Sequence, residues 1–287
     1  MLPLIQFFLF SEVSVLACAF ALGWSALRLL HHQANLELLA LISSATFLFY
    51  TLERNLTIPP ISQAVFPEKI QWLRDHKGLN LVLIFSSAVV TAVAASDLSQ
   101  TGQVSLLILG FLSLCYSIIK FPRSSASSLP SQGLKRLPWA KSTLMVLVWT
   151  YMTLILPLLE AGVSTEKIRF VLLGALWASW IFSNTLLFDI RDIEVDHFSG
   201  CTTFAAHLGR TKAHTLIHLM SFIQIGFIFT YGATFGDWPS AAAMMLASAS
   251  FLGCNLYLQH QTRASLAFYI LADLTLILPA IGLFFLR

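Results

Sequence analysis

Ile168-Arg-Phe-Val-Leu-Leu-Gly-Ala-Leu-Trp-Ala-Ser-Trp-Ile-Phe-Ser-Asn-Thr-Leu-Leu-Phe188 carries one charge, Arg169, and runs straight into Asp189-Ile-Arg-Asp192-Ile-Glu-Val-Asp196. About 20 apolar residues in helical form cross a bilayer core, so the first part reads as a membrane helix whose end is heavily acidic. Working outward, the same signature recurs eight more times, and the spans predicted are 4–27, 35–52, 79–96, 102–119, 142–160, 168–188, 213–231, 239–258 and 265–285. Turn chemistry separates them, as in Ile58-Pro59-Pro60, Asp97 to Gly102, Ala161-Gly162 and Gly236-Asp237-Trp238. The composition agrees: 57% of the 287 residues are hydrophobic and 11% charged, against roughly 25% charged in a soluble domain. The mean hydropathy is +0.77. The expectation is an all-α integral membrane protein of nine transmembrane helices, with residues 1–287 forming a single polytopic domain.

Charge placement orients it. With the N-terminus in the cytoplasm, thirteen of the seventeen Lys and Arg fall in cytoplasmic loops, leaving Arg28, Lys167, Arg169 and Arg287 outside. Nine spans then put the C-terminus outside. The first stretch, Met1 to Phe10, has no basic region or small-residue cleavage site, and Glu12 interrupts the run, so it reads as a span and not a cleaved signal. Net charge is only +3 with no basic tail or stripe, which argues against a nucleic-acid partner. The four cysteines, Cys18, Cys115, Cys201 and Cys254, make no ligand or disulfide pattern and are expected as free thiols. The first three cytoplasmic loops are long and polar, so chemistry is expected near the cytoplasmic face.

Within the acidic run, Asp189, Asp192 and Asp196 fall within about 60° of one another on a helix, whereas Glu194 points away. Three carboxylates on one face repel unless a cation joins them, and hard oxygen ligands suit Mg²⁺. The alternative is a solvated helix end helped by Arg191. A second polar face, at the end of the second span, holds Tyr50, Glu53 and Thr57 with Arg54 and Asn55 beside it; on spacing alone it reads more simply as a helix end snorkelling into the interface. Lys120 stands four residues after Tyr116 on one face, and Lys135 and Arg136 precede Pro138-Trp139. These basic groups suit a diphosphate, although anchoring at the membrane surface explains them too. His214 and His218, four apart, lack a third metal ligand; Glu12 and Asp273 read as structural acids within spans. His31-His32 reads as a solvated pair in a short outside loop.

Asn184-Thr-Leu-Leu-Phe-Asp189-Ile-Arg-Asp192-Ile-Glu-Val-Asp196, then Gly200, Thr203 and Leu208-Gly209, resembles the second aspartate-rich motif of the UbiA superfamily of intramembrane prenyltransferases. Tyr116-Ser-Ile-Ile-Lys120 is similar to the superfamily's Tyr-x-x-x-Lys element, and Leu134-Lys135-Arg136-Leu137-Pro138 with the Trp149-bearing helix is also similar. The resemblance covers most of the chain. Its first motif departs from the usual Asn-Asp-x-x-Asp-Arg: here it reads Phe49-Tyr50-Thr51-Leu52-Glu53-Arg54, so only a Glu-Arg pair remains, and Tyr50 and Thr57 stand where acids are usual.

The resemblance implies nine helices around a central cavity open to lipid. It implies Mg²⁺ held by Asp189, Asp192 and Asp196 with Glu53, and a diphosphate contacted by Arg54, Tyr116, Lys120, Arg136 and Asn184. It further implies Mg²⁺-dependent transfer of a prenyl group from an isoprenyl diphosphate to a lipophilic, aromatic-type acceptor within the bilayer. Two alternatives stay open. One is a terpene cyclase of the same fold that ionises the diphosphate without an external acceptor. The other is a non-catalytic isoprenoid- or lipid-binding protein.

Overall fold

The computed structural model describes residues 2–57, 62–118, 139–162, 167–199, 203–261 and 265–286, with side chains throughout except at 2, 53–57, 63, 116–118 and 199. Among the described residues every regular element is helical: α1 (Leu2–Phe10), α2 (Val13–Leu29), α3 (Leu36–Thr57), α4 (Ser62–Val65), α5 (Pro67–Asp75), α6 (Lys77–Ser96), α7 (Gln100–Ile118), α8 (Ala140–Thr150), α9 (Leu156–Glu160), α10 (Lys167–Ser199), α11 (Phe204–Leu208), α12 (Arg210–Phe235), α13 (Trp238–Leu258) and α14 (Leu266–Leu286). A π-helical turn, Tyr151–Ile155, joins α8 to α9 into one continuous rod.

Six of these helical stretches are long and apolar enough to cross a membrane: α6, α8 through α9, α10, α12, α13 and α14. The bent pair α1–α2 makes a seventh if counted as one span. The apolar parts of α3 and α7 among the described residues, Leu36–Leu52 and Gln100–Cys115, are shorter. On α6 and α7, Leu81, Val82, Phe85, Leu107 and Phe111 are all exposed. A row of bare large apolar side chains this long is tolerable only in lipid. The chain is a multi-pass integral membrane protein.

The run 4–27, expected as one helix, is broken. Between α1 and α2 the axis turns by 66°. The cause is Glu12, which takes a left-handed conformation (φ 68°) and pairs with Lys69 of α5 at 2.6 Å. Ser11 donates both its backbone N–H (3.1 Å) and its hydroxyl (2.6 Å) to the Phe7 carbonyl at the end of α1.

The bundle centres on α10, which packs against α8, α12 and α14; α2 packs against α3, α14 and the π turn, and α12, α13 and α14 follow one another side by side. With no water in the hydrocarbon, backbone groups freed by proline must find partners inside. Pro279 in α14 cannot bond the Thr275 carbonyl one turn back. The Trp180 indole of α10 donates to that carbonyl instead, at 3.1 Å. Asn184 follows one turn along α10 and donates to Ala272 O (2.7 Å) and Thr275 Oγ1 (2.8 Å). Trp180→Phe keeps most of the volume but orphans the Thr275 carbonyl; a loss of about 1–3 kcal/mol is expected, read as a lower midpoint of unfolding in SDS titration.

Pro157 has the same effect in the fifth apolar run. It removes the N–H that would bond Thr153, and the helix widens there into the π turn. Gly236 (φ 69°) ends α12, and Asp237 caps α13 by accepting from the Ser240 N–H at 3.3 Å, so that turn follows its sequence chemistry. Small and polar residues glue the remaining seams: His214 Nδ1 meets Asn255 Oδ1 at 2.6 Å, and Gln224 bridges Ser183 (3.2 Å) and Ser248 (3.1 Å).

Candidate functional site

α10 does not stop where its apolar run ends. It continues through all four acids of 189–196 to Ser199, so the carboxylates are presented on a rigid helix. α8 meets this end of α10. It starts after Trp139, which holds a left-handed conformation (φ 66°) and stacks on Phe204 of α11 at 5.1 Å between ring centroids. α11 is itself fixed by Thr203, whose hydroxyl accepts from the Ala206 N–H at 3.2 Å, and by Gly209 (φ 79°), which turns the chain into α12. Thus Thr203 and Leu208-Gly209 fix the short helix against which the start of α8 rests; residues 200–202 lie outside the described residues.

This arrangement brings Lys141 and Ser142 of α8 onto the acids. Ser142 Oγ donates to Asp189 Oδ2 at 2.6 Å. Lys141 Nζ lies 3.1 Å from both oxygens of Asp196 and 3.4 Å from Asp189 Oδ1. Asp189 Oδ1 is buried and accepts no hydrogen bond. One ammonium therefore sits between two carboxylates with 1% and 9% of their side chains exposed, while its own side chain is 26% exposed. Buried carboxylates this close need a cation between them, and lysine supplies it.

Asp192 takes a different partner. Arg191 grips it with Nε at 2.7 Å and Nη2 at 3.0 Å, a bidentate pair. The Arg191 guanidinium lies over Tyr269 of α14 (4.9 Å), Phe188 (5.0 Å) and Phe66 (5.9 Å). Lys69 of α5 also faces Tyr269, at 5.7 Å, while paired with Glu12. The single acidic face of the sequence is thus divided: Asp189 and Asp196 turn to α8, and Asp192 belongs to an aromatic and ionic cluster that binds α5 and the α1–α2 break to α10 and α14.

Asn184, expected at a diphosphate, donates its amide to α14, at the Ala272 carbonyl and the Thr275 hydroxyl. The side chains of Glu53, Arg54 and Tyr116, and all of Lys120 and Arg136, lie outside the described residues. Tyr50 is described: its hydroxyl accepts from the Trp149 indole at 3.0 Å, and the two rings meet edge to face. An aromatic lock therefore stands where the resemblance would put an acid. Lys141, Ser142, Lys69 and Tyr269 are the contributors that sequence reasoning missed. Lys141 was visible only as one more basic residue at the membrane surface, and nothing in its neighbours tells that it faces α10.

For Mg²⁺ the donor set fits in part. Among the described residues no group of three His, Cys, Asp or Glu converges as a metal site. Two hard carboxylates nevertheless already share one cation, and one of their oxygens is buried without a hydrogen bond, which is the donor chemistry Mg²⁺ prefers. His214 and His218 do not add to it; His214 is tied to Asn255 in the α12–α13 seam. A lipid-facing groove of about 620 Å³ lies between α13 and α14, lined by Cys254, Tyr257, Ile270 and Leu271, and does not include the carboxylates.

Compared with solved structures, the chain is similar over nearly its whole length to an apo UbiA homologue from Aeropyrum pernix K1, with a TM-score of 0.63, 15% identity and 95% of this chain and 97% of that one covered. It has the UbiA fold. A UbiA homologue from Archaeoglobus fulgidus bound to GPP and Mg²⁺ matches with a TM-score of 0.61, 9% identity and coverage of 97% and 99%. A digeranylgeranylglyceryl phosphate synthase matches with a TM-score of 0.51, 13% identity and coverage of 99% of each chain. No protein-family model matches the sequence. No curated protein matches it either. At these identities the UbiA fold is shared while most side chains have changed, so the acids at 189–196 and their α8 partners carry the functional argument.

Proposed function

We propose that the chain is an Mg²⁺-dependent prenyltransferase of the UbiA superfamily, moving a prenyl group from an isoprenyl diphosphate to a lipophilic acceptor in the membrane. The observation that carries this reading is the buried Asp189–Lys141–Asp196 group at the end of α10. Its support is a fold shared with homologues bound to GPP and Mg²⁺ and to DMAPP and Mg²⁺. The nine-helix arrangement with its lipid-open cavity, the cytoplasmic N-terminus, the outside C-terminus and a site near the cytoplasmic face belong to the same reading.

Asp189 and Asp196 would hold the metal, with Glu53 as a further carboxylate. Held there, Mg²⁺ would supply positive charge to offset what develops on the diphosphate as the allylic C–O bond breaks. Ser142 holds Asp189 in one orientation, so its second oxygen keeps its aim. Arg191 keeps Asp192 in place beside the pair. Arg54, Lys120, Arg136 and Tyr116 contact the diphosphate, while Asn184 positions α10 against α14. A dry setting makes each of these charges act more strongly than it would in water. The Tyr50–Trp149 lock puts ring faces and edges beside α8, suited to an isoprenoid chain and to an allylic cation.

The test is turnover of prenyl diphosphates, from geranyl to long-chain, by the purified protein in lipid, with and without Mg²⁺ and with a panel of aromatic and other lipophilic acceptors. Metal-dependent diphosphate release with a prenylated acceptor is the expected outcome. Release with a cyclised hydrocarbon and no use of acceptor would replace the transferase by a cyclase. Tight isoprenoid binding with no release from any donor would make it a binding protein.

A further inference from the structure

We infer that Lys141 is a built-in competitor for the divalent cation: its ammonium occupies the carboxylate pair at rest and must leave for the metal to bind, moving onto the diphosphate that arrives with it. This inference rests on the metal-dependent reading above and adds a coupling between metal and diphosphate that the reading does not contain.

Four observations carry it. Nζ is placed as a bridging cation, 3.1 Å from both Asp196 oxygens and 3.4 Å from Asp189 Oδ1, so a second cation cannot share the position without strong repulsion. The acids are buried while the lysine is a quarter exposed, so the ammonium, on a flexible four-carbon stem, has open space to swing towards. Ser142, the next residue on α8, holds Asp189 by its other oxygen, so that carboxylate keeps its orientation after the lysine departs. Asp192 cannot step in as a replacement without giving up a bidentate arginine.

The exchange balances in charge. A divalent cation enters between two carboxylates, and the displaced monovalent ammonium goes to an anion bearing at least two negative charges. Without that anion the displaced ammonium gives up two buried carboxylates, and the metal binds weakly. Metal and diphosphate thereby favour each other's binding, a reciprocal coupling by linkage.

The experiment measures Mn²⁺ binding, by the loss of the free-ion EPR signal, to purified protein in lipid nanodiscs. Wild type, Lys141→Met and Lys141→Arg are compared, each with and without geranyl thiodiphosphate. Wild type is expected to bind Mn²⁺ weakly alone and about tenfold or more tightly with the thiodiphosphate. K141M is expected to bind Mn²⁺ alone about tenfold or more tightly than wild type and to lose most of the coupling. K141R keeps the charge and is expected to gain no affinity.

K141M affinity equal to or below that of wild type would overturn the inference. The two readings fail separately. If wild type takes no Mn²⁺ even with the thiodiphosphate, the metal-dependent function falls, while tight binding by K141M alone still upholds Lys141 as the competitor. K141M leaves two buried carboxylates without their cation, so wild type is also read with its lysines ¹³C-dimethylated, a change that preserves their charge. The Lys141 methyl resonance must shift at saturating Mg²⁺, and an unmoved resonance overturns the inference whether or not K141M folds.

Discussion

Asp189→Asn is expected to lower Mg²⁺-dependent diphosphate release roughly 10³-fold while the protein stays folded. The substitution keeps the shape and leaves an oxygen for Ser142, but it replaces the buried, hydrogen-bond-free Oδ1 by a donor facing the Lys141 ammonium or a metal. Losing one preorganised charge contact of this kind in a dry site costs about 10²–10³ in rate, and here the group also helps to hold the metal. Glu194→Gln is the control: Glu194 is exposed on the other side of α10, and a change of no more than about twofold is expected. Release would be followed with a coupled diphosphate assay and folding by thermal stability in detergent. Equal, modest losses in D189N and E194Q would show that the acids act only as surface charge.

Trp177→Ala is expected to cost about 3–5 kcal/mol, the range for deleting a large buried aromatic. Trp177 is 1% exposed, at the meeting of α10 with the fifth apolar run. Its indole donates to Thr153 Oγ1 at 3.1 Å, inside the π turn; Thr153 donates to the Trp149 carbonyl at 2.7 Å, and Trp149 donates to Tyr50 at 3.0 Å. One indole therefore begins a chain that links α10, the π turn, α8 and α3. Its removal opens a cavity and frees an acceptor in the widened helix. Trp177→Phe fills most of the space and loses the hydrogen bond, so about 0.5–1.5 kcal/mol is expected. SDS titration in mixed micelles measures both, and an alanine variant no worse than the phenylalanine one would contradict the packing role.

The outline of the protein was legible because the signals are local and additive. Twenty apolar residues make a helix in lipid whatever surrounds them, and Gly236-Asp237 makes a turn by its own backbone preferences. The Asp-rich run, Thr203 and Leu208-Gly209 were readable for the same reason: each acts within a turn or two of itself. The long apolar run at the N-terminus shows where such reading stops. Glu12 interrupts that run visibly, but nothing local shows that the axis bends there by 66° or that Glu12 pairs with Lys69, 57 residues away.

Sequence alone determined that this chain is a membrane-embedded helical protein whose acids gather at the end of one helix. The tertiary structure decided what those acids do to one another. On a helix wheel Asp189, Asp192 and Asp196 form one face. In the folded chain two of them are joined by Lys141, 48 and 55 residues away from Asp189 and Asp196 along the chain, and the third is held by Arg191 over Tyr269. Asn184, which by motif pointed to a ligand, donates in the folded chain to the Ala272 carbonyl and the Thr275 hydroxyl of another helix. The physical reason is common to both cases. In a medium without water, a buried charge or amide takes the nearest complementary group the packing brings, and a one-dimensional pattern does not contain that distance.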